Sequence, residues 1–149
     1  MNKKYIVCGA GRVGGKVANV LKQYGADVTI IERDRDVARF FKKEGYNVLL
    51  GDVLDEKTLK KANIECADWL IAVLGKDVDN LFVILKAKEM NPKIKTAARV
   101  SDESSLESFY KSGVDLLVLP ELIGGLHLAK AILGIEKPIR LQTLEEIKK

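Results

Sequence analysis

Short apolar runs alternate with amphipathic stretches along the chain. Tyr5-Ile6-Val7-Cys8 is too short for a helix and ends at glycine, which predicts a buried strand. Val13, Val17, Leu21 and Tyr24 then recur at helical spacing, with Ala18 and Val20 beside them, and Gly25 closes the predicted helix. Val28-Thr29-Ile30-Ile31 predicts a second strand. Asp34 is placed to cap a helix burying Val37, Ala38, Phe40 and Phe41, which Gly45 ends before a third strand at 47–50. Asp55 caps a short helix carrying Leu59 and Ala62, and the most apolar strand is expected at 69–74. Val78, Leu81, Phe82 and Leu85 form the stripe of the next helix, stopped by Asn91-Pro92. A fifth strand follows at 94–100, then a helix marked by Leu106, Phe109 and Tyr110 and ended by Gly113. The sixth strand, 116–119, is closed by Pro120.

Six strands alternating with five helices predict an α/β fold, a mostly parallel sheet covered on both faces. Right-handed crossovers favour a Rossmann-like doubly wound six-stranded sheet in the order 3-2-1-4-5-6. Beyond it, Leu122, Ile123, Leu126, Leu128, Ala129, Ala131, Ile132 and Leu133 place apolar groups on more than one face of a further helix. Covering one sheet needs only one such face. Two explanations stand: the helix is wedged into its own domain, or its second face meets another subunit. After Gly134 and Pro138, residues 139–149 read as the beginning of a strand or helix that stops early.

Composition narrows the picture. The chain has 149 residues, 47% of them hydrophobic and 31% charged, which is ordinary globular composition for one domain and excludes disorder. A cofactor domain plus a separate catalytic domain would not fit in this length. No apolar run reaches the ~20 residues of a bilayer span, and none near the N-terminus suits a signal peptide. Two cysteines, one in a predicted strand, point to a reducing, cytoplasmic setting. The net charge of +4 is spread over helix-like stretches such as Lys42-Lys43 and Lys60-Lys61 among acidic neighbours. No basic stripe interleaved with aromatics tracks a nucleic acid, so none is expected as a partner.

The candidate chemistry is phosphate binding. Gly9-Ala10-Gly11-Arg12-Val13-Gly14 lies between the first strand and the first helix, the context the glycine motif requires. Gly9 permits the turn, Gly11 admits a pyrophosphate to the backbone, and Gly14 lets helix and strand pack closely. The helix N-terminus would meet the phosphate. Glu32 ends the second strand 18 residues after Gly14, near the spacing of a ribose-binding acid. Its carboxylate would repel a 2′-phosphate, favouring NAD or an adenine nucleotide over NADP, with Arg33 next door as a partial offset. The bland alternative is a glycine turn beside a surface glutamate; strand, motif, helix and acid in register favour binding.

Further candidates lie past other strand ends. Asp52, with Val53, follows strand three; taken alone, Asp52 reads first as a loop or capping carboxylate and only second as a ligand-side acid. Strand four runs out through Val73, Leu74 and Gly75 into Lys76, Asp77, Asp79 and Asn80, where Asp77 is a plausible N-cap. Arg99 is a charge in an apolar run and calls for an anionic partner, a phosphate or a carboxylate. The expected cofactor-binding set is thus the glycine motif, Glu32, Arg33, Asp52, Val53, Val73, Leu74, Gly75, Asn80 and Arg99. Catalytic and metal residues are not expected. His127, the only histidine, reads as a helix-surface or interface residue. Cys8 and Cys66 lack metal-ligand spacing and companions. No Tyr-x-x-x-Lys pair occurs.

Taken in order, Gly9 to Gly14, Glu32, Gly51-Asp52, Asp79-Asn80, Ala98-Arg99-Val100 and Ser112-Gly113-Val114-Asp115 leading to Pro120-Glu121 resemble a known family. It is the nucleotide-binding RCK, KTN or TrkA-N domain of potassium channel and transporter regulators. The likeness spans residues 1–134, leaving 135–149 as a linker or the start of a truncated second lobe. It implies a regulatory, non-enzymatic role on the cytosolic face of a membrane channel or transporter, with no membrane insertion of its own. Members pair as dimers, often stacked into octameric rings, and ligand binding changes the dimer's hinge angle. By this likeness Glu32 holds the ribose and Asp52 lies near the adenine. Gly11, Arg12 and Val13 line the phosphates, and Arg99 neutralises their charge. The 122–133 helix is then the crossover helix exchanged between subunits, which favours the intersubunit explanation. NAD, NADH, ATP, ADP and AMP are the implied ligands. Arg99 and Ser101 stand where some relatives carry calcium-binding carboxylates, which argues against that site. The competing readings are the cofactor domain of an NAD-dependent dehydrogenase cut from a longer enzyme, and a nucleotide-independent dimerisation scaffold.

Overall fold

The computed structural model describes residues 2–137, so the expectation for 139–149 lies outside the described residues. The chain divides into two compact units, Met1–Val118 and Leu119–Lys149.

The first unit alternates strand and helix throughout: β1 Lys4–Cys8, α1 Arg12–Gln23, β2 Asp27–Glu32, α2 Arg35–Lys43, β3 Asn47–Leu50, α3 Glu56–Lys61, β4 Trp69–Ala72, α4 Asp77–Met90, β5 Lys95–Arg99, α5 Leu106–Ser112 and β6 Leu116–Val118. All the strand pairings are parallel, and the order is β3-β2-β1-β4-β5-β6, as the crossover argument predicts. The switch point therefore lies between β1 and β4, where Tyr5 pairs with Trp69 and Cys8 with Ala72.

Strand alternation divides the core in two. Val7, Ile30, Val48 and Ile71 pack with Ala18 of α1 and Ala38 of α2. Ile6 and Leu70, pointing the other way, are buried, as are Val83, Ile84 and Ala87 of α4. Burying a side chain of this size stabilises the fold by roughly 1.5–3 kcal/mol. Past α1, Tyr5, Trp69, Ile71, Ala97, Leu116 and Val118 line an apolar groove of about 600 Å³.

The N-caps predicted at Asp34 and Asp55 are present. Asp34 accepts from the Asp36 and Val37 N–H groups at 2.9 and 3.1 Å, and Asp55 from Lys57 N–H at 3.0 Å. Other expectations need correction. Phe40 is 57% exposed and packs edge-on with Phe41, because Ala38 and Phe41, three apart, define the inward face of α2. On α4 the stripe Val78, Phe82 and Leu85 is exposed, while Asn80, Val83, Ile84 and Ala87 are buried. This helix is apolar on nearly every side, so its sequence contains two stripes of helical period. β4 stops at Ala72, and Asp77 lies inside α4 after Lys76 instead of capping it.

The second unit holds α6, Pro120–Ile132, with proline at the helix start, where its missing N–H costs nothing. None of its residues is buried. It ends in a turn in which Ile135 N–H donates to Lys130 O at 2.8 Å. There the Glu136 carboxylate meets His127 Nδ1 at 2.8 Å and Lys130 Nζ at 3.5 Å. Among the described residues no helix is long and apolar enough to cross a membrane.

Candidate functional site

The loops leaving the carboxyl ends of β1 to β5 enclose a cleft of about 560 Å³ in the first unit. At its centre β1 turns into α1. Gly9 takes φ +94°, a conformation that strains any residue with a Cβ, while its N–H donates to Ile31 O at 2.9 Å. Gly14 is required for a different reason. A Cβ there would lie 1.9 Å from Gly9 O and 2.9 Å from Val73 Cγ2, so the helix can sit this close to the strand only with glycine. Gly11, the N-cap, has open space around it and supplies no capping side chain. Of the six described helices, α1 alone has no acidic residue in its first turn. Its free N–H groups and positive dipole end are left for an anion.

Glu32 closes the β2 side. Its Oε1 accepts from Ala10 N–H at 3.0 Å and its Oε2 from Asp34 N–H at 2.8 Å. These bonds hold the carboxylate next to the glycine turn, with lone pairs left to accept from a pair of hydroxyls. At the β3 end, Asp52 Oδ1 accepts from Leu54 N–H at 2.9 Å, so it does serve its own loop while also lining the cleft.

The structure brings Gly9, Gly11, Arg12, Val13, Glu32, Arg33, Asp52, Val53, Val73, Leu74, Gly75 and Arg99 to this one cleft. Ala10, Gly14 and Asn80 are not on its wall. Ala10 acts through its N–H to Glu32, Gly14 through helix packing, and Asn80 is fully buried behind the cleft. Ile31, Gly51, Leu54, Lys76 and Asp79 also line it, though the sequence reading left them out of the set. Their signal was available: each adjoins a residue that the strand-end rule singles out.

The Asp77 carboxylate accepts from Ser101 and Asp102 N–H at 2.8 and 2.9 Å, and from Ser105 Oγ at 3.3 Å. It therefore holds the loop after β5. Cys8 is fully buried, and burial pushes its thiol far above the ordinary range, leaving it unreactive near neutral pH. Cys66 is exposed. Among the described residues no group of three His, Cys, Asp or Glu could hold a metal ion.

A parallel sheet in this order, with a glycine turn at the β1 end of the switch point and an acid at the end of neighbouring β2, defines the Rossmann class of α/β domains. Within that class, the chain belongs to the TrkA-N domain family, whose family model matches residues 5–120. It is 35% identical over 132 residues to potassium channel protein 1 of Methanocaldococcus jannaschii, covering 87% of this chain and 40% of that protein. It is 36% identical over 133 residues to a Trk system potassium uptake protein TrkA homolog of Pyrococcus abyssi, covering 85% of this chain and 59% of that one. The chain thus spans about half the length of these relatives.

Among solved structures, the TrkA-N domain of the Escherichia coli inner membrane protein ybaL aligns with TM-score 0.79 at 24% identity, over 91% of this chain and 97% of that one. The GsuK structure bound to ADP aligns with TM-score 0.77 at 24% identity, over 90% and 35%. The GsuK channel bound to NAD aligns with TM-score 0.70 at 19% identity, over 79% and 21%. At these identities the structural matches establish the shared fold.

Proposed function

We propose that this chain is a non-enzymatic regulatory module that binds an adenine nucleotide and controls potassium flux through an associated membrane channel or transporter. The carrying observation is the pairing, in one cleft, of an acid-free helix N-terminus at Gly11 with the Glu32 carboxylate. One suits phosphate and the other a ribose diol. The names of the potassium-transport relatives and of the ADP- and NAD-bound structures support the reading. NAD, NADH, ATP, ADP and AMP all fit this description. Arg99 is assigned to the phosphates and Asp52 to the adenine side. The module acts at the cytosolic membrane face as a homodimer through the 122–133 helix, with an octameric ring as the higher assembly. Support for pairing is the exposure of Ile123, Leu126, Leu128 and Ile132 on a helix with no buried residue, and of Leu133 just after it.

The test is titration calorimetry with NAD, NADH, ATP, ADP and AMP. At least one ligand binds more tightly than millimolar. Glu32→Ala weakens it about tenfold or more, the scale of a lost hydrogen bond to a charged group. Glu32→Gln keeps an acceptor and loses less. If none of the five binds more tightly than millimolar and Glu32→Ala changes nothing, the nucleotide reading is wrong.

A further inference from the structure

Asn80 makes three hydrogen bonds behind the cleft. It is fully buried, with its Oδ1 accepting from Leu74 N–H at 2.8 Å. Its Nδ2 donates to Leu74 O at 3.1 Å and to Arg99 O at 3.0 Å. Leu74 lies past the end of β4, so an amide side chain takes over the backbone groups that another ladder rung would have paired. Three residues earlier on α4, Asp77 holds Ser101 and Asp102 by their N–H groups. The first turn of α4 thus fixes the β4 exit through Asn80 and the β5 exit from the Arg99 carbonyl to Asp102.

We propose that Asn80, assisted by Asp77, is the positioning residue of the anion end of this cleft. It holds the Leu74–Gly75 backbone and Arg99 in one fixed register, so that the guanidinium meets a phosphate without prior rearrangement. The inference rests on the nucleotide reading and deepens it. An amide is required because the site presents one N–H and two carbonyls. A carboxylate could not donate, and an apolar side chain would leave all three without partners. Rigid support of this kind matters most where a charge-assisted bond depends on geometry.

The test uses the full chain and titration calorimetry with adenosine and with ATP. Asn80→Ala lowers ATP affinity about tenfold or more and changes adenosine affinity by less than about twofold, because Arg99 acts only on phosphate. In an Arg99→Gln background the further effect of Asn80→Ala on ATP falls below about twofold, the signature of one residue acting through another. Equal losses for adenosine and ATP, or full additivity with Arg99→Gln, overturn the proposal. If Asn80→Ala does not melt cooperatively, Asp77→Asn decides. A loss for ATP with adenosine unchanged supports the proposal, and no change in either overturns it. A wild-type chain that binds none of NAD, NADH, ATP, ADP and AMP refutes the nucleotide reading itself and takes this inference with it; if another of the five binds and ATP does not, that ligand replaces ATP in the same comparison.

Discussion

Alanine at Gly14 and alanine at Gly11 make opposite predictions from one motif. At Gly14 the added Cβ would lie 1.9 Å from Gly9 O, so α1 and the β1 turn must separate by more than an ångström. Overpacking of a core commonly costs about 1–3 kcal/mol. Here the obstacle is a carbonyl oxygen whose residue is held at φ +94° and bonded through its N–H to Ile31 O, so it cannot rotate aside as a side chain would. A cost at the upper end, about 3 kcal/mol, is expected. For a chain of this size that lowers the melting temperature by about 10 °C. Gly11 has φ −74° and nothing within 4 Å of the added atom, so alanine there costs under about 1 kcal/mol. Its methyl instead occupies space beside the helix N-terminus and weakens nucleotide binding. Circular dichroism melts with calorimetry on both variants separate the roles. A Gly14→Ala variant melting within about 2 °C of wild type would refute the packing argument. Equal melting losses at both positions would refute the division of labour.

Other outcomes follow from the electrostatics and the apolar helix. The hydrogen bond to His127, with help from Lys130, holds the Glu136 carboxyl below its usual range, so this contact is present above the ordinary carboxylate pKa and lost as pH falls through the lowered value. His127→Ala should move the Glu136 titration midpoint upward in carbon-detected NMR. Burial works to raise the Asp115 carboxyl, but Thr96 N–H at 2.7 Å and Lys88 at 3.4 Å outweigh it and hold the group low. Asp115→Asn should cost about 1 kcal/mol at neutral pH, allowing for solvent screening, with the difference shrinking as pH falls below about 4 in acid melts. Leu126→Asp combined with Leu133→Asp should yield monomers by light scattering. Persistent dimers would remove the 122–133 helix from the interface.

Much of this architecture was legible because each level of the pattern agreed with the next. The strand at 47–50, the caps at Asp34 and Asp55 and the strand order rest on local rules that nothing in the tertiary structure opposes. The failures share a cause. Period alone reports that a helix has an apolar stripe, and α4 has two, of which packing chose the one containing Asn80. Phe40 was misplaced because aromatic residues at adjacent positions cannot share one helix face. Asp77 looked like a cap because only its neighbours in sequence were visible, whereas its partners Ser101 and Asp102 lie 24 and 25 residues away. In the cleft, the expected set accounts for twelve of the seventeen wall residues. The strand-end rule could not distinguish residues on the wall from those behind it, as Asn80 shows.

The parallel sheet also separates the molecule into two working ends. Every cleft loop leaves the carboxyl edge of a strand, while the turns at Gly25, Gly45 and Gly113 return the chain to the amino edge. Changes in ligand preference can accumulate at the first edge without disturbing how helices re-enter the sheet. At the second edge the exposed turn tips at Gly25 and Gly45 are the places where insertions or tags are best tolerated. A single small scaffold can in this way be rewired for a new signal and attached to a new output by two sets of mutations that do not interfere.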